Sequence, residues 1–244
     1  MISVRGLTKR FGERSVLRDV SIEVPKGHIV AIMGSSGGGK TTLLKCIAGL
    51  IPFEVGTVEV DGVDVQRTTD EARRHLGLVF QSSALFDYLN VMDNVLFGYR
   101  RRHPRASLKD QRAVAEAILE QVGLSGTGHL MPSELSGGMR KRVGVARALI
   151  LEPAVMLYDE PTTGLDPVTT YALDSLIVDV RDRTGATSLI VSHDLTSVFR
   201  VADRIAFLHA GELVFDGPPA GFREAEHPAI AELVGKARAE AFDE

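Results

Sequence analysis

The run Gly34-Ser35-Ser36-Gly37-Gly38-Gly39-Lys40-Thr41 lies between the apolar strand pattern Ile29 to Met33 and a helical pattern from Thr41 to Leu50. Glycines in that setting let backbone N–H groups turn toward phosphate oxygens, and the helix start adds positive potential. Lys40 is placed to reach the outer phosphates of a nucleotide, and the Thr41 hydroxyl can ligate Mg²⁺. Gly34, Ser35, Ser36, Gly37, Gly38, Gly39, Lys40, Thr41 and Thr42 are therefore the expected phosphate contacts. A second element, Ala154-Val155-Met156-Leu157-Tyr158-Asp159-Glu160, is an apolar strand with two carboxylates at its C-terminal end, where α/β proteins place ligands. Asp159 would support Mg²⁺ through water, and Glu160 would orient or deprotonate an attacking water. Pro161 stops the strand and leaves Glu160 at its tip. The run Leu135-Ser136-Gly137-Gly138-Met139 lies too far along the chain to belong to the first loop. Its serine hydroxyl, glycine N–H groups and a helix beginning near Gly138 would attract a γ-phosphate, which suggests a nucleotide held between two surfaces.

The elements that must position these groups fall into three regions. To about Phe80 the chain is rich in short β-type segments: Ile2 to Val4, Ser21 to Val24, Ile29 to Met33, Thr57 to Val60 and Leu76 to Phe80, with Asp61-Gly62 as a tight hairpin turn. From Ser82 to Ala148 it is mainly helical, its clearest helix starting at Ser107 and ending near Gly123. The third region alternates again: strands at Val155 to Tyr158, Ser188 to Val191, Arg204 to Leu208 and Glu212 to Phe215, with helices from about Thr169 and Thr196. Buried strands alternating with helices imply an α/β fold with a parallel sheet covered on both faces. The expected division is an α/β unit of residues 1–81 and 149–217, a helical insert of 82–148, and a tail of 218–244. In that tail Ile230, Leu233 and Val234 would pack on their own domain or touch a neighbouring subunit.

Composition narrows the function. The 244 residues carry a net charge of −4 with pI near 6.0, which argues against a large nucleic-acid footprint. The cluster Arg100, Arg101, Arg102 and Arg105 reads as a solvated loop, or as a contact for lipid headgroups or a partner. A lone Cys46 in an apolar helix pattern excludes an internal disulfide or a Cys-rich zinc site and reads as a buried structural thiol. No apolar run approaches the roughly 18 residues that span a bilayer, and the N-terminus shows no secretion signal. The chain is expected in the cytoplasm unless a partner holds it at a membrane.

The phosphate loop, Gln81, Leu135-Ser136-Gly137-Gly138, Asp159-Glu160, Gly164-Leu165-Asp166 and His193, in that order and spacing, resemble the ATP-binding-cassette ATPases over essentially the whole chain to about Gly217. The resemblance implies a P-loop fold with a RecA-like α/β core, an antiparallel β subdomain and an inserted helical subdomain. It also implies ATP and Mg²⁺ as cofactors, and a head-to-tail homodimer in which Ser136, Gly137 and Gly138 of one subunit close over ATP on the other. Under the same resemblance, Gln81 links the Mg²⁺ and attacking-water region to the helical insert, Asp166 crosses the dimer interface and His193 contacts the γ-phosphate. Phe11 corresponds to the aromatic residue that stacks on adenine. By residue type alone, Gln81 and Asp166 could equally be polar turn residues, Phe11 a core aromatic and His193 a helix cap.

Met139 departs from the glutamine that usually ends the family's signature. With Gln81 to Phe86, Asn90 to Val95 and Leu130 to Met139, it is similar to the ATPases of Mla and Mce lipid-transport systems. This finer match implies membrane permease subunits, an Mce-domain lipid-binding protein, a peripheral place on the cytoplasmic face of the inner membrane, and no nucleic-acid partner. Leu85, Phe86, Tyr88, Leu89 and Val91 would then shape a groove for the permease, or pack inside the insert. A cassette driving another solute, or a soluble non-transport ATPase of the family, is the alternative.

Overall fold

A computed structural model describes residues 1–240, with side chains through Gly235; positions 241–244 of the expected tail lie outside the described residues. The chain opens with the hairpin β1 (Ile2–Phe11) and β2 (Arg14–Val24), then β3 (Ile29–Gly34), the phosphate loop and α1 (Lys40–Ile47). Next come β4 (Val55–Val60), β5 (Val63–Asp64), α2 (Thr69–Arg74) and β6 (Leu76–Val79). The helical stretch holds α3 (Val91–Arg102), α4 (Leu108–Gln121), a 3₁₀ turn at Pro132–Glu134 and α5 (Gly137–Leu149). Then follow β7 (Val155–Asp159), α6 (Pro167–Thr184), β8 (Thr187–Val191), α7 (Leu195–Val201), β9 (Arg204–His209), β10 (Glu212–Gly217), α8 (Pro219–Arg223) and α9 (Pro228–Glu240).

The strands form two sheets: an antiparallel one of order β2-β1-β4-β5, and one of order β10-β9-β3-β8-β7-β6 that is parallel except at the β9-β10 edge. Asp61 and Gly62 turn the β4-β5 hairpin with φ of 51° and 82°, the left-handed pair that a two-residue turn requires. Period-two alternation sorts each central strand between two cores. Val155, Leu157, Leu189 and Val191 pack toward β1, β2 and α1, whereas Met156, Tyr158 and Ile190 pack toward α3 to α6. A mostly parallel sheet covered by helices, with the glycine-rich loop between β3 and α1, is the α/β architecture that the alternation of strands and helices implies.

Polar caps fix the helix starts. Asn90, Ser107, Ser136, Asp166 and Asp194 each accept from a backbone N–H in the first turn of α3, α4, α5, α6 and α7. Two expectations are corrected. Arg100, Arg101 and Arg102 form the last turn of α3 rather than a loop, where cations suit the helix C-terminus. Arg100 there pairs with Asp93 at 2.8 Å, and Arg102 donates to the Leu151 carbonyl at 2.9 Å. In the tail, Ile230 and Val234 are buried with Met33, Val198, Phe207 and Phe222 of their own domain, and Leu233 packs against the same cluster. Ile230 and Val234 are therefore not available to a neighbouring subunit, whereas Leu233 stays partly exposed. Among the described residues no helix is long and apolar enough to cross a membrane.

Candidate functional site

Two glycines set the shape of the phosphate loop. At Gly34 φ is 147°, and a Cβ would lie 2.0 Å from the Leu208 carbonyl oxygen on the neighbouring strand. At Gly39, the N-cap of α1, φ is 102° and a Cβ would lie 2.8 Å from Leu17 Cδ2. Neither position admits a side chain without moving the sheet or the loop. Lys40 curls back so that Nζ donates to the carbonyls of Gly34 at 2.8 Å and Ser35 at 3.0 Å. Burial pushes its pKa down, while Glu160 and Asp159 pull it up.

Because β3, β6, β7 and β8 run parallel, their C-terminal ends converge. A cleft of about 710 Å³ results, lined by Gly34, Ser36 to Thr42, Gln81, Glu160, His193, Arg14, Val16 and Thr163. The Thr41 hydroxyl donates to Asp159 Oδ1 at 3.3 Å. Burial raises the Asp159 pKa, opposed by that hydrogen bond. A hydroxyl, a carboxylate and the nearby Gln81 amide are hard oxygen donors of the kind Mg²⁺ takes alongside substrate phosphates, so these residues fit the ion.

Glu160 adopts φ of 46°, left-handed backbone that costs a non-glycine residue roughly 1–2 kcal/mol. The register holds it there, since its N–H donates to the Val191 carbonyl at 2.9 Å. The half-buried carboxylate accepts through Oε2 from Thr163 Oγ1 at 2.8 Å and from His193 Nδ1 at 2.8 Å. A carboxylate only accepts here, which places the histidine proton on Nδ1.

The structure does not bring every expected residue to this cleft. Ser136 and Gly137 are exposed outside it, and Gly138 packs so closely that a Cβ would lie 2.4 Å from Thr169 Cγ2. Asp166 joins this second group: it caps α6 and its Oδ2 accepts from Thr169 Oγ1 at 2.6 Å. That bond holds the Asp166 carboxyl below the usual range. Phe11 is not a core residue. It is 53% exposed, with Lys9 Nζ 4.9 Å from its ring centroid and Lys9 tied to Glu54 at 2.7 Å. Ser35 contributes its carbonyl to Lys40 rather than lining the cleft.

Arg14, Val16 and Thr163 were absent from the sequence-derived set. Thr163 could have been found from its spacing of three after Glu160, which suits a turn. Arg14 and Val16 reach the cleft only because the β1-β2 hairpin folds across the phosphate loop, a placement that local sequence does not encode.

The ABC transporter family model matches residues 17–163. Over 221 residues the chain is 40% identical to the intermembrane phospholipid transport system ATP-binding protein MlaF of Haemophilus influenzae, covering 89% of this chain and 83% of that one. Over 243 residues it is 41% identical to the sulfate/thiosulfate import ATP-binding protein CysA of Mycobacterium bovis, covering 96% of this chain and 68% of that one. Its fold superposes with a TM-score of 0.81, at 31% identity, on the dimeric post-hydrolysis ATP-binding cassette MJ0796 bound to ADP and Pi, covering 90% of this chain and 99% of that one. The chain belongs to the ABC transporter family and is an ATP-binding, ATP-hydrolysing transporter subunit.

Proposed function

We propose that this ATPase energises a membrane lipid transporter of the Mla and Mce type. The observation that carries the reading is the 40% identity with a phospholipid-transport ATPase across 89% of the chain. The unusual Met139 and the exposed Tyr88 and Phe97 of the helical insert support it. Residues 82–148 act as the insert that meets the permease, two ATPase copies serving two permease copies; 1–81 and 149–217 form the motor, and the C-terminal segment from Pro218 to Gly235 closes over the motor's own core. An Mce-domain lipid-binding protein completes the assembly, and the ATPase sits peripherally on the cytoplasmic face of the inner membrane.

The working unit is a head-to-tail homodimer. Ser136, Gly137 and Asp166 are exposed and lie outside their own cleft, which suits them to close over ATP held by Gly34 to Thr42 of the other subunit. Phe11 offers an open ring face to adenine. Thr41, Asp159 and Gln81 would hold Mg²⁺, which neutralises charge on the phosphates. Glu160 takes a proton from the attacking water as its oxygen bonds to the γ-phosphorus and the bond to ADP breaks, releasing ADP and phosphate. His193, anchored on Glu160 through Nδ1, donates to the γ-phosphate through Nε2–H when its ring carries both protons.

A second reading, import of a small anion, is favoured by the CysA relative. Purification of the intact complex in mild detergent, followed by reconstitution into vesicles, separates the two. ATP-dependent transfer of labelled phospholipid is the expected result; sulfate uptake without lipid transfer would replace the lipid reading with the second.

A further inference from the structure

Three residues of α5, spaced by three, form one stripe against the segment that follows β6: Lys141, Gly144 and Arg147. Lys141 Nζ donates to the Gln81 carbonyl at 2.5 Å. At Gly144 the helix lies against this turn, where a Cβ would make ordinary contact 3.6 Å from the Ser83 Cβ and 3.7 Å from its carbonyl oxygen and any larger side chain would press on it. Arg147 donates through Nη2 to the Ser83 carbonyl at 2.8 Å and through Nη1 to the Ala84 carbonyl at 2.6 Å.

The gripped backbone is one the chain would not adopt unaided. Ser83 and Ala84 are consecutive non-glycine residues with φ of 61° and 44°. Such left-handed pairs persist only where surrounding contacts over-determine them. The donors are also unusual, because Lys141 is 7% exposed and spends its hydrogen bond on a backbone carbonyl rather than a carboxylate. Burial lowers its pKa, and the field of Glu160 partly restores it. A desolvated cation makes a strong, directional bond to a carbonyl, and here that carbonyl belongs to Gln81 itself.

We infer that Lys141 is a positioning residue that sets Gln81 against the reacting site, with Gly144 and Arg147 holding the adjoining turn. The inference rests on the reading that Gln81 serves the metal and attacking-water region. Lys141 does not line the phosphate cleft; it acts through the Gln81 backbone. Its effect must therefore fall on turnover rather than on nucleotide affinity, and must vanish when Gln81 can no longer act.

The test uses the full chain as Lys141→Met, Lys141→Arg, Gln81→Ala and the double variant Lys141→Met/Gln81→Ala, with steady-state ATPase kinetics and thermal melting. Lys141→Met should lower kcat by about tenfold or more, the scale of one charge-assisted hydrogen bond, and leave KM for ATP within about twofold. Lys141→Arg, which keeps the cation, should recover most of the loss, and the double variant should be no slower than Gln81→Ala alone. Unchanged kcat in Lys141→Met, equal losses in Lys141→Met and Lys141→Arg, or losses that multiply in the double variant would each overturn the inference. If Gln81→Ala itself retains full kcat, the underlying reading of Gln81 fails; if it loses kcat while Lys141→Met does not, the inference alone fails. Should Lys141→Met not fold, Gly144→Val decides, since its branched side chain pushes the turn away without touching a charge. It should show the same turnover loss, non-additive with Gln81→Ala, and unchanged turnover would refute the stripe.

Discussion

Replacing Glu160 with glutamine separates its proton chemistry from the hydrogen bonds that its side chain makes. Both hydrogen bonds to its side chain, from Thr163 and His193, fall on Oε2. In the variant the amide oxygen can take the Oε2 position and keep both donors, while the NH₂ group stands where Oε1 stood and can no longer accept a proton. Backbone strain at φ of 46° is the same for either residue. Folding stability should shift by less than about 0.5 kcal/mol, which is about 1–2 °C in Tm for a chain of this size. Loss of a general base costs about 10²–10⁴ in rate, or roughly 3–5 kcal/mol of barrier. Removing a negative charge beside the phosphate loop does not oppose ATP binding, so Kd should be unchanged or tighter. Phosphate release gives kcat, a fluorescent ATP analogue gives Kd, and light scattering follows the ATP-bound dimer, which should accumulate. A kcat within about tenfold of the wild-type value, with Tm and Kd intact, would show that Glu160 is not the base.

Lys40→Ala should weaken ATP binding itself by roughly 1.5–3 kcal/mol, read as a ten- to hundredfold rise in Kd, because the charge-assisted contact to phosphate is lost; an unaltered Kd contradicts the phosphate-loop assignment. Ile230→Ala should destabilise the fold by about 2–5 kcal/mol in denaturant melts, since the side chain is fully buried among Phe222, Phe207 and Val198; a shift below about 0.5 kcal/mol would mean that α9 does not hold the core. Cys46, buried and pushed up to about 12, should resist alkylation in the native protein at about pH 8 and react only after denaturant is added. Rapid native labelling would refute its burial. The Lys9 hydrogen bond holds Glu54 below its ordinary 4.5, so the pair's stabilisation is full above that pH and is lost as acid protonates the carboxyl below it. The melting difference between wild type and Glu54→Gln should thus be present at neutral pH, small because Glu54 is largely exposed, and absent in strong acid.

Local chemistry was the most legible part of the chain. A glycine-rich loop between an apolar strand and a helix is written in consecutive residues, as are the Asp61-Gly62 turn, the Ser107 cap and the acids that end β7. Where pairing or packing breaks a simple pattern, the sequence was less informative. Only Ile2 to Val4 of β1 stood out, because register shifts between Val4, Leu7, Lys9 and Arg10 break the alternation that marks a strand. The short α2 passed unnoticed since Ala72 is its only buried residue. Arg100 to Arg102 read as a loop because their charge hid a helix end.

The sequence by itself determined which atoms are available for phosphate and proton chemistry: Lys40, Thr41, Asp159, Glu160 and His193, each specified by its own short run. Tertiary structure decided which of them meet. Parallel pairing of β3, β6, β7 and β8 brings residues more than a hundred positions apart to one edge, and leaves Ser136, Gly137 and Asp166 outside their own cleft. It also decided that Lys141, an ordinary surface-type residue in sequence, is buried against the Gln81 carbonyl. Side-chain type follows from the gene letter by letter, but juxtaposition depends on strand order and helix docking, which are set by burial across the whole chain.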